Sequence, residues 1–374
     1  MRCVVAVVSL LSGLVAAGPA GAATWTVQPS PSIARSELLG VSCGSAHDCL
    51  AVGDRTVGGH TRTLAEHWNG SAWSVTPLAV VGGASLSVLQ GVDCRSAHWC
   101  MAVGFSRRGG TEKPLAERWS GTRWSILPTP DPSPSWPRHR LYGVSCPTTR
   151  FCLAAGDFGT ETLSPFFTST FKAWVVRWNG SRWSVAHVIN APKGTAKDFS
   201  GVSCASTHGC LMVGSFSSQS VEGRPLGLWF DGRHWRDLRP PNPAESSSLS
   251  SASCTSSASC MAVGRQFVSR DQNALAERWN GHHWSTRVPP RPAGDGGAEL
   301  AGVACRSRSH CTAVGASGPA DPTGGLAEGW NGFSWTIQPT PGGDGWPLNG
   351  VACRPTFCVA VGSHAFHAIV ERLS

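Results

Sequence analysis

Cysteine is the residue whose spacing speaks most directly of chemistry in this chain. Of 15 cysteines, Cys3 sits in an apolar leader, and the rest fall into neighbouring pairs. Cys43 and Cys49, Cys94 and Cys100, Cys146 and Cys152, Cys204 and Cys210, Cys254 and Cys260, and Cys305 and Cys311 share a C-x5-C spacing, while Cys353 and Cys358 are C-x4-C. Such regular neighbours predict adjacent disulfides, and disulfides persist in an oxidising compartment. Zinc would need C-x2-C geometry and close partners from elsewhere, so no metal is expected.

Gly40-Val-Ser42-Cys-Gly44 satisfies the G-x-S-x-G expression of a hydrolase nucleophile. That motif works on a strand-to-helix turn with Asp and His downstream, whereas this serine lies in a strand-like run whose second glycine is not repeated in equivalent runs. The single tyrosine, Tyr142, fills a slot held elsewhere by Leu39, Gln90, Ser200, Ser250, Ala301 and Asn349, which counts against a sialidase-type nucleophile. His47, His98 and His208 share one place in separate C-x5-C loops and read as polar turn residues rather than a metal site. Phosphate loops, dinucleotide fingerprints and H-E-x-x-H helices are not found, so no catalytic residue and no cofactor is expected.

What must position any site is a repeat. One unit reads Leu38-Leu-Gly-Val-Ser-Cys-x5-Cys-Leu-Ala-Val-Gly53, then a variable stretch, then Leu64-Ala-Glu-His-Trp-Asn-Gly-Ser-Ala-Trp-Ser-Val75. It recurs from Leu89, Leu141, Phe199, Leu249, Leu300 and Leu348, a period of about 50 residues that fits four short strands. Alternation and turn chemistry assign Gly-Val-Ser-Cys to strand A, Leu-Ala-Val-Gly to strand B, Leu-Ala-Glu-His-Trp68 to strand C and Ala-Trp-Ser-Val75 to strand D. Asn69-Gly70 suits a tight primed turn between C and D. The last unit stops at Val370-Glu-Arg-Leu373 without a strand D, and Thr24-Trp-Thr-Val-Gln-Pro-Ser-Pro31 matches the missing piece. The expected fold is all-β: a seven-bladed β-propeller of four-stranded antiparallel blades, its ring closed by the N-terminal strand completing the last blade.

The GVSC-x5-C-x-AVG and LAExWNGxxW pattern resembles a group of bacterial exported repeat proteins described as kelch-like or galactose-oxidase-like propellers. The resemblance covers residues 24–374 and implies the fold; it transfers no activity.

Each short disulfide loop would remove unfolded-state entropy worth about 2 kcal/mol. Trp25, Trp73, Trp124, Trp183, Trp235, Trp284 and Trp335, with Trp68, Trp119, Trp178, Phe230, Trp279, Trp330 and Leu373, occur in every unit and read as inter-blade core rather than a sugar platform. Glu66, Glu117, Glu277, Glu328 and Glu371 recur in strand C and read as partly buried acceptors holding a neighbouring turn.

Arg2, an apolar run over 4–17 and small residues from Gly18 to Ala23 follow the order of a signal peptide, so 1–23 is expected to be removed and 24–374 to form one secreted, extracellular domain. No later apolar run reaches the roughly 20 residues of a bilayer span, so no membrane insertion is expected. The formal charge of +8 is scattered, with 14% charged residues, and reads as a solubilising surface without nucleic-acid binding.

The A–B and C–D turns hardly vary, whereas the B–C and D–A segments differ in every unit, so one face is uniform and the other individual. Recognition belongs on the individual face. Trp136, Trp346, Phe166 and Phe167, with Arg138 and Arg140, are the candidate ligand-binding residues there, because the repeat does not explain them. Phe158, Phe171, Arg107 and Arg108 lie in the same segments. The reading is a monomeric, non-catalytic scaffold for a glycan or an extracellular protein; the alternatives are a polysaccharide lyase or glycoside hydrolase, and an adhesive or structural module.

Overall fold

The computed structural model describes residues 24–373 except 32, 163–167, 191–194, 219–220, 270, 293–295, 319–323, 342–345 and 366, and describes no side chain at 161–162, 168–169 or 221–222. Residues 1–23, expected from the sequence to be a removable leader, thus lie outside the described residues. Every regular element among them is a β-strand. Strand β1 (Trp25–Gln28) is followed by β2 (Ser36–Ser45), β3 (Asp48–Val57), β4 (His60–Trp68) and β5 (Trp73–Val75), the last four forming one antiparallel unit. Four-stranded antiparallel units of this kind repeat along the chain, and two parallel bridges, Thr61↔Leu86 and Phe171↔Ala196, join neighbours into eight-stranded sheets. In the last unit β1 pairs antiparallel with His367–Leu373, from Trp25↔Leu373 to Gln28↔Val370, beside Phe357–His364 and Leu348–Arg354.

Alternation explains why each unit stands between two others. In β3, Leu50 and Val52 enter one cluster with Leu89, Cys94 and Trp124 of the second unit. Cys49 and Ala51 enter another with Phe357, Val359 and Val370 of the last. Strand B is consequently buried on both faces, which is why Leu-Ala-Val-Gly is apolar throughout. Its glycine is demanded by close approach: a Cβ on Gly53 would land on the carbonyl oxygen of Glu37.

The cysteines pair with their neighbours, as their spacing predicts. Cys43 is bonded to Cys49, Cys94 to Cys100, Cys146 to Cys152 and Cys204 to Cys210. Cys254 is bonded to Cys260, Cys305 to Cys311 and Cys353 to Cys358, so every one of the seven disulfides spans an A–B hairpin. The strand-A serine also has a structural task. Ser42 Oγ accepts a hydrogen bond from Cys94 N of the next unit at 3.0 Å, and Ser145, Ser203 and Ser253 do the same for Cys204, Cys254 and Cys305. Asp93 takes the role toward Cys146 N at 2.6 Å. Ala304 and Ala352 fill the slot in the last two units and cannot accept.

The aromatic pairs expected as core close the C–D hairpins. Trp68 with Trp73, Trp119 with Trp124, Trp178 with Trp183, Phe230 with Trp235, Trp279 with Trp284 and Trp330 with Trp335 hold ring centroids 4.4 to 5.9 Å apart. Trp119 Nε1 also donates to Ala97 O at 3.0 Å, tying strand C to its own A–B turn.

Three sequence expectations need correction. The Asn-Gly turn is not a two-residue primed turn: four residues separate Trp68 from Trp73, only Gly70 has positive φ, at 97°, and Asn69 Oδ1 caps the N–H groups of Ser71 and Ala72. Two-residue turns with positive φ sit instead at the B–C ends, at Gly58-Gly59 and Gly109-Gly110. The B–C segment of the first unit, read from the sequence as a variable connection between strands, is accordingly mostly strand, because β3 and β4 continue pairing out to Val57↔His60. Thirdly, the strand-C glutamates are fully rather than partly buried: Glu66, Glu117, Glu277, Glu328 and Glu371 have 0% exposure. The backbone of Ala79 lies near Glu117 and favours its charged form against burial, without a hydrogen bond of ordinary geometry. Glu66, Glu277 and Glu328 have no hydrogen-bond partner among the described residues, so they hold no turn. At Ala79's offset from the strand-D tryptophan the linkers preceding these three carry Pro31, Pro241 and Pro290, which lack the N–H to donate.

Candidate functional site

Glycines and small residues of the A strands line a central cavity of about 340 Å³, and Tyr142 is the largest side chain entering it. Tyr142 lies at a register shift in Arg138–Thr148, between Leu141 and Gly143, on the side of the B–C and D–A segments. Around it the third unit gathers charge from its neighbours. Arg138 Nη2 donates to Tyr142 Oη at 3.2 Å and to Asp157 Oδ2 at 3.4 Å, and Tyr142 Oη donates to the same carboxylate oxygen at 3.1 Å. Arg140 makes a two-pronged contact with Glu112 of the second unit, at 2.6 and 2.8 Å. Asp198 of the fourth unit accepts from Ser200 Oγ at 2.9 Å and Ser215 Oγ at 2.5 Å.

Aromatic rings floor this cluster. The Arg138 guanidinium lies 4.3 Å over Phe171, and that of Arg140 4.3 Å over Phe105. His139, fully buried, stacks on Phe158 with a 2° interplanar angle, and burial pulls its pKa down.

Burial dominates the electrostatics. It pushes the Asp157 carboxyl up to about 6, helped by the charge of Asp198 and opposed by Arg138. Asp198 also rises through burial, against the serine hydrogen bonds. The Tyr142 phenol is driven well above its ordinary range by burial and by Asp157. A second acidic pair, Glu37 and Asp54, belongs to the first unit, where burial and then Glu37 raise Asp54 to about 6.

Of the residues singled out in the sequence, Arg138 and Arg140 meet in this cluster. Trp136 is half-buried beside it, 5.4 Å from Phe158, with Lys172 Nζ 5.1 Å over its ring. Trp346 is half-buried in the last unit, 4.2 Å from the His364 ring. Phe158 and Phe171 are buried, and Phe166 and Phe167 lie outside the described residues. Sequence reasoning missed Glu112, Asp157 and Asp198. The signal for Asp157 and Asp198 was a charge in slots flanking the buried A–B core, just after the strand-B glycine or just before the strand-A apolar residue, whereas Glu112, near the start of strand C, carried no such mark.

Repeated four-stranded antiparallel sheets around a central cavity define a β-propeller. Two solved structures agree in fold: "YCF48 bound to D1 peptide", with TM-score 0.57 at 13% identity, covering 93% of this chain and 96% of that one, and the WD40 β-propeller domain of Doa1, with TM-score 0.56 at 9% identity, covering 93% and 97%. No protein-family model and no curated protein sequence matches the chain.

Proposed function

We propose that the chain is a secreted, non-catalytic binding scaffold: a closed seven-bladed propeller whose individual face recognises an extracellular glycan or protein beside Tyr142. Closure is supported by the β1 pairing with the C-terminal strand, by the cluster uniting Leu38 and Trp73 with Phe357 and Val370, and by Gly350, whose added Cβ would sit 2.9 Å from Leu39 O. The seven disulfides suit an exported protein.

The observation that carries the binding reading is the convergence of Glu112, Arg138, Arg140, Tyr142, Asp157 and Asp198 from three units onto one channel mouth. Ionic and phenolic groups held in fixed directions next to aromatic rings give a ligand of mixed polarity specific contacts. YCF48 is solved bound to a peptide, a precedent for a chain of similar fold taking a peptide ligand.

The same cluster gives the hydrolase or lyase alternative its one footing, since a tyrosine, two arginines and carboxylates do meet. Its electrostatics favour binding. A nucleophile needs a lowered pKa or a free base, whereas the Tyr142 phenol is raised and Asp157 Oδ2 is occupied by Tyr142 and Arg138.

The test is a screen of the oxidised protein against glycan and peptide arrays, with hits retested on Tyr142→Phe and Trp136→Ala. Each substitution should weaken binding about tenfold, as expected for one lost polar or aromatic contact in a central site. Variants that bind like the wild type would remove this mouth from the account, and turnover of a bound polysaccharide would replace the scaffold with the enzyme.

A further inference from the structure

We infer that the chain binds a doubly charged oxyanion, a phosphate or sulfate group, between Arg95 and Arg354 at the A–B-turn end of the central channel. This site stands whatever docks at the opposite mouth. Arginine follows the first strand-A cysteine in three units, at Arg95, Arg306 and Arg354, and the slot is uncharged in the other four, Gly44 among them. Strand A of the first unit touches those of the second and the last. Arg95 and Arg354 therefore flank Gly44, which contributes no side chain to separate them. The two act on each other as like charges, and both act on Asp93. Arg306 reaches toward the same rim, donating Nη1 to Pro355 O at 3.1 Å.

Charge compensation here is incomplete. Asp93 faces two arginines with one carboxylate, and an oxygen of it is already engaged by Cys146 N at 2.6 Å. Burial pulls Arg354 below its ordinary range and Arg95 pulls it further, against Asp93. The buried Nε of Arg354 has no hydrogen-bond partner among the described residues. A half-buried guanidinium with an unpartnered N–H, close enough to a second cation to feel its charge, suits an acceptor with several oxygens and two charges. Phosphate and sulfate supply both, while chloride supplies neither the charge nor the geometry.

The experiment follows thermal unfolding of the oxidised full-length protein in sodium phosphate, sodium sulfate and sodium chloride at equal ionic strength and pH, with calorimetric titration of inorganic phosphate. Wild type should show a saturable rise in Tm and a titratable heat with phosphate. Arg354→Gln and Arg95→Gln should each weaken binding at least about tenfold, since a charge lost beside a doubly charged anion is worth more than that once partly shielded from water. Asp93→Asn should strengthen it, because the competing charge goes while an oxygen remains for Cys146 N. Arg150→Gln, on the A–B turn of the third unit, should leave it unchanged. Generic salting-out gives a rise that does not saturate and is shared by all variants. That outcome, or Arg354→Gln and Arg95→Gln binding like wild type, overturns the proposal.

Discussion

Glu277 offers the sharpest test of how this fold tolerates buried charge. It is fully buried, has no hydrogen-bond partner among the described residues, and its pKa is raised by burial from 4.5 to about 8. A folded-state pKa above the unfolded value means that the folded protein holds its proton more tightly. The associated stability is complete below pH 4.5 and is lost as pH rises through about 8, beyond which it is flat. At 1.36 kcal/mol per unit, the loss at pH 7 amounts to about 3 kcal/mol. Glu277→Gln keeps the shape and removes the ionisation, so its advantage over wild type should be about 3 kcal/mol larger at pH 7 than at pH 4. Urea unfolding at pH 4, 7 and 9, followed by tryptophan fluorescence with disulfides intact, measures this directly. Glu277→Leu should show the same loss of pH dependence, since Val176 and Leu228 already fill this slot in two units. Parallel pH profiles for wild type and Glu277→Gln would refute the reasoning, showing that water or rearrangement relieves the charge.

Ser145→Ala removes the acceptor for Cys204 N and should cost about 1 kcal/mol in urea unfolding, with secondary structure by circular dichroism unchanged. Trp25→Ala strips the buried anchor of β1 and should cost about 3–5 kcal/mol, read as a lower thermal midpoint. Gly53→Ala should abolish soluble expression, because its Cβ has no space beside Glu37 O.

Much of the architecture was legible because it repeats. Strand identity, the cysteine pairs and the half-unit at each end follow from spacing alone, and Trp25↔Leu373 is the pairing that the split unit demands. Turn chemistry was less legible. Asn69 invited a primed turn, but its side chain capping Ser71 and Ala72 favours a four-residue loop that the dipeptide does not announce. Contacts between units were invisible to a reading made one unit at a time. The pairing of Arg140 with Glu112 spans 28 positions, and the serine of GVSC looked chemical because its partner, Cys94 N, lies 52 residues on. Burial of strand-C glutamates could not be foreseen either, since their depth depends on how closely the preceding linker covers them.

The disulfides are all local, each closing a hairpin with a sequence separation of 5 or 6. Every such stitch can be sewn as soon as its own hairpin has formed, with no search among distant thiols. Because loop-closure entropy grows only with the logarithm of loop length, these bonds restrain little of the unfolded chain as a whole. The cohesion between units rests on apolar clusters and backbone latches, so a reductant should loosen the hairpins one by one and leave the large-scale order of the sheets to the interfaces.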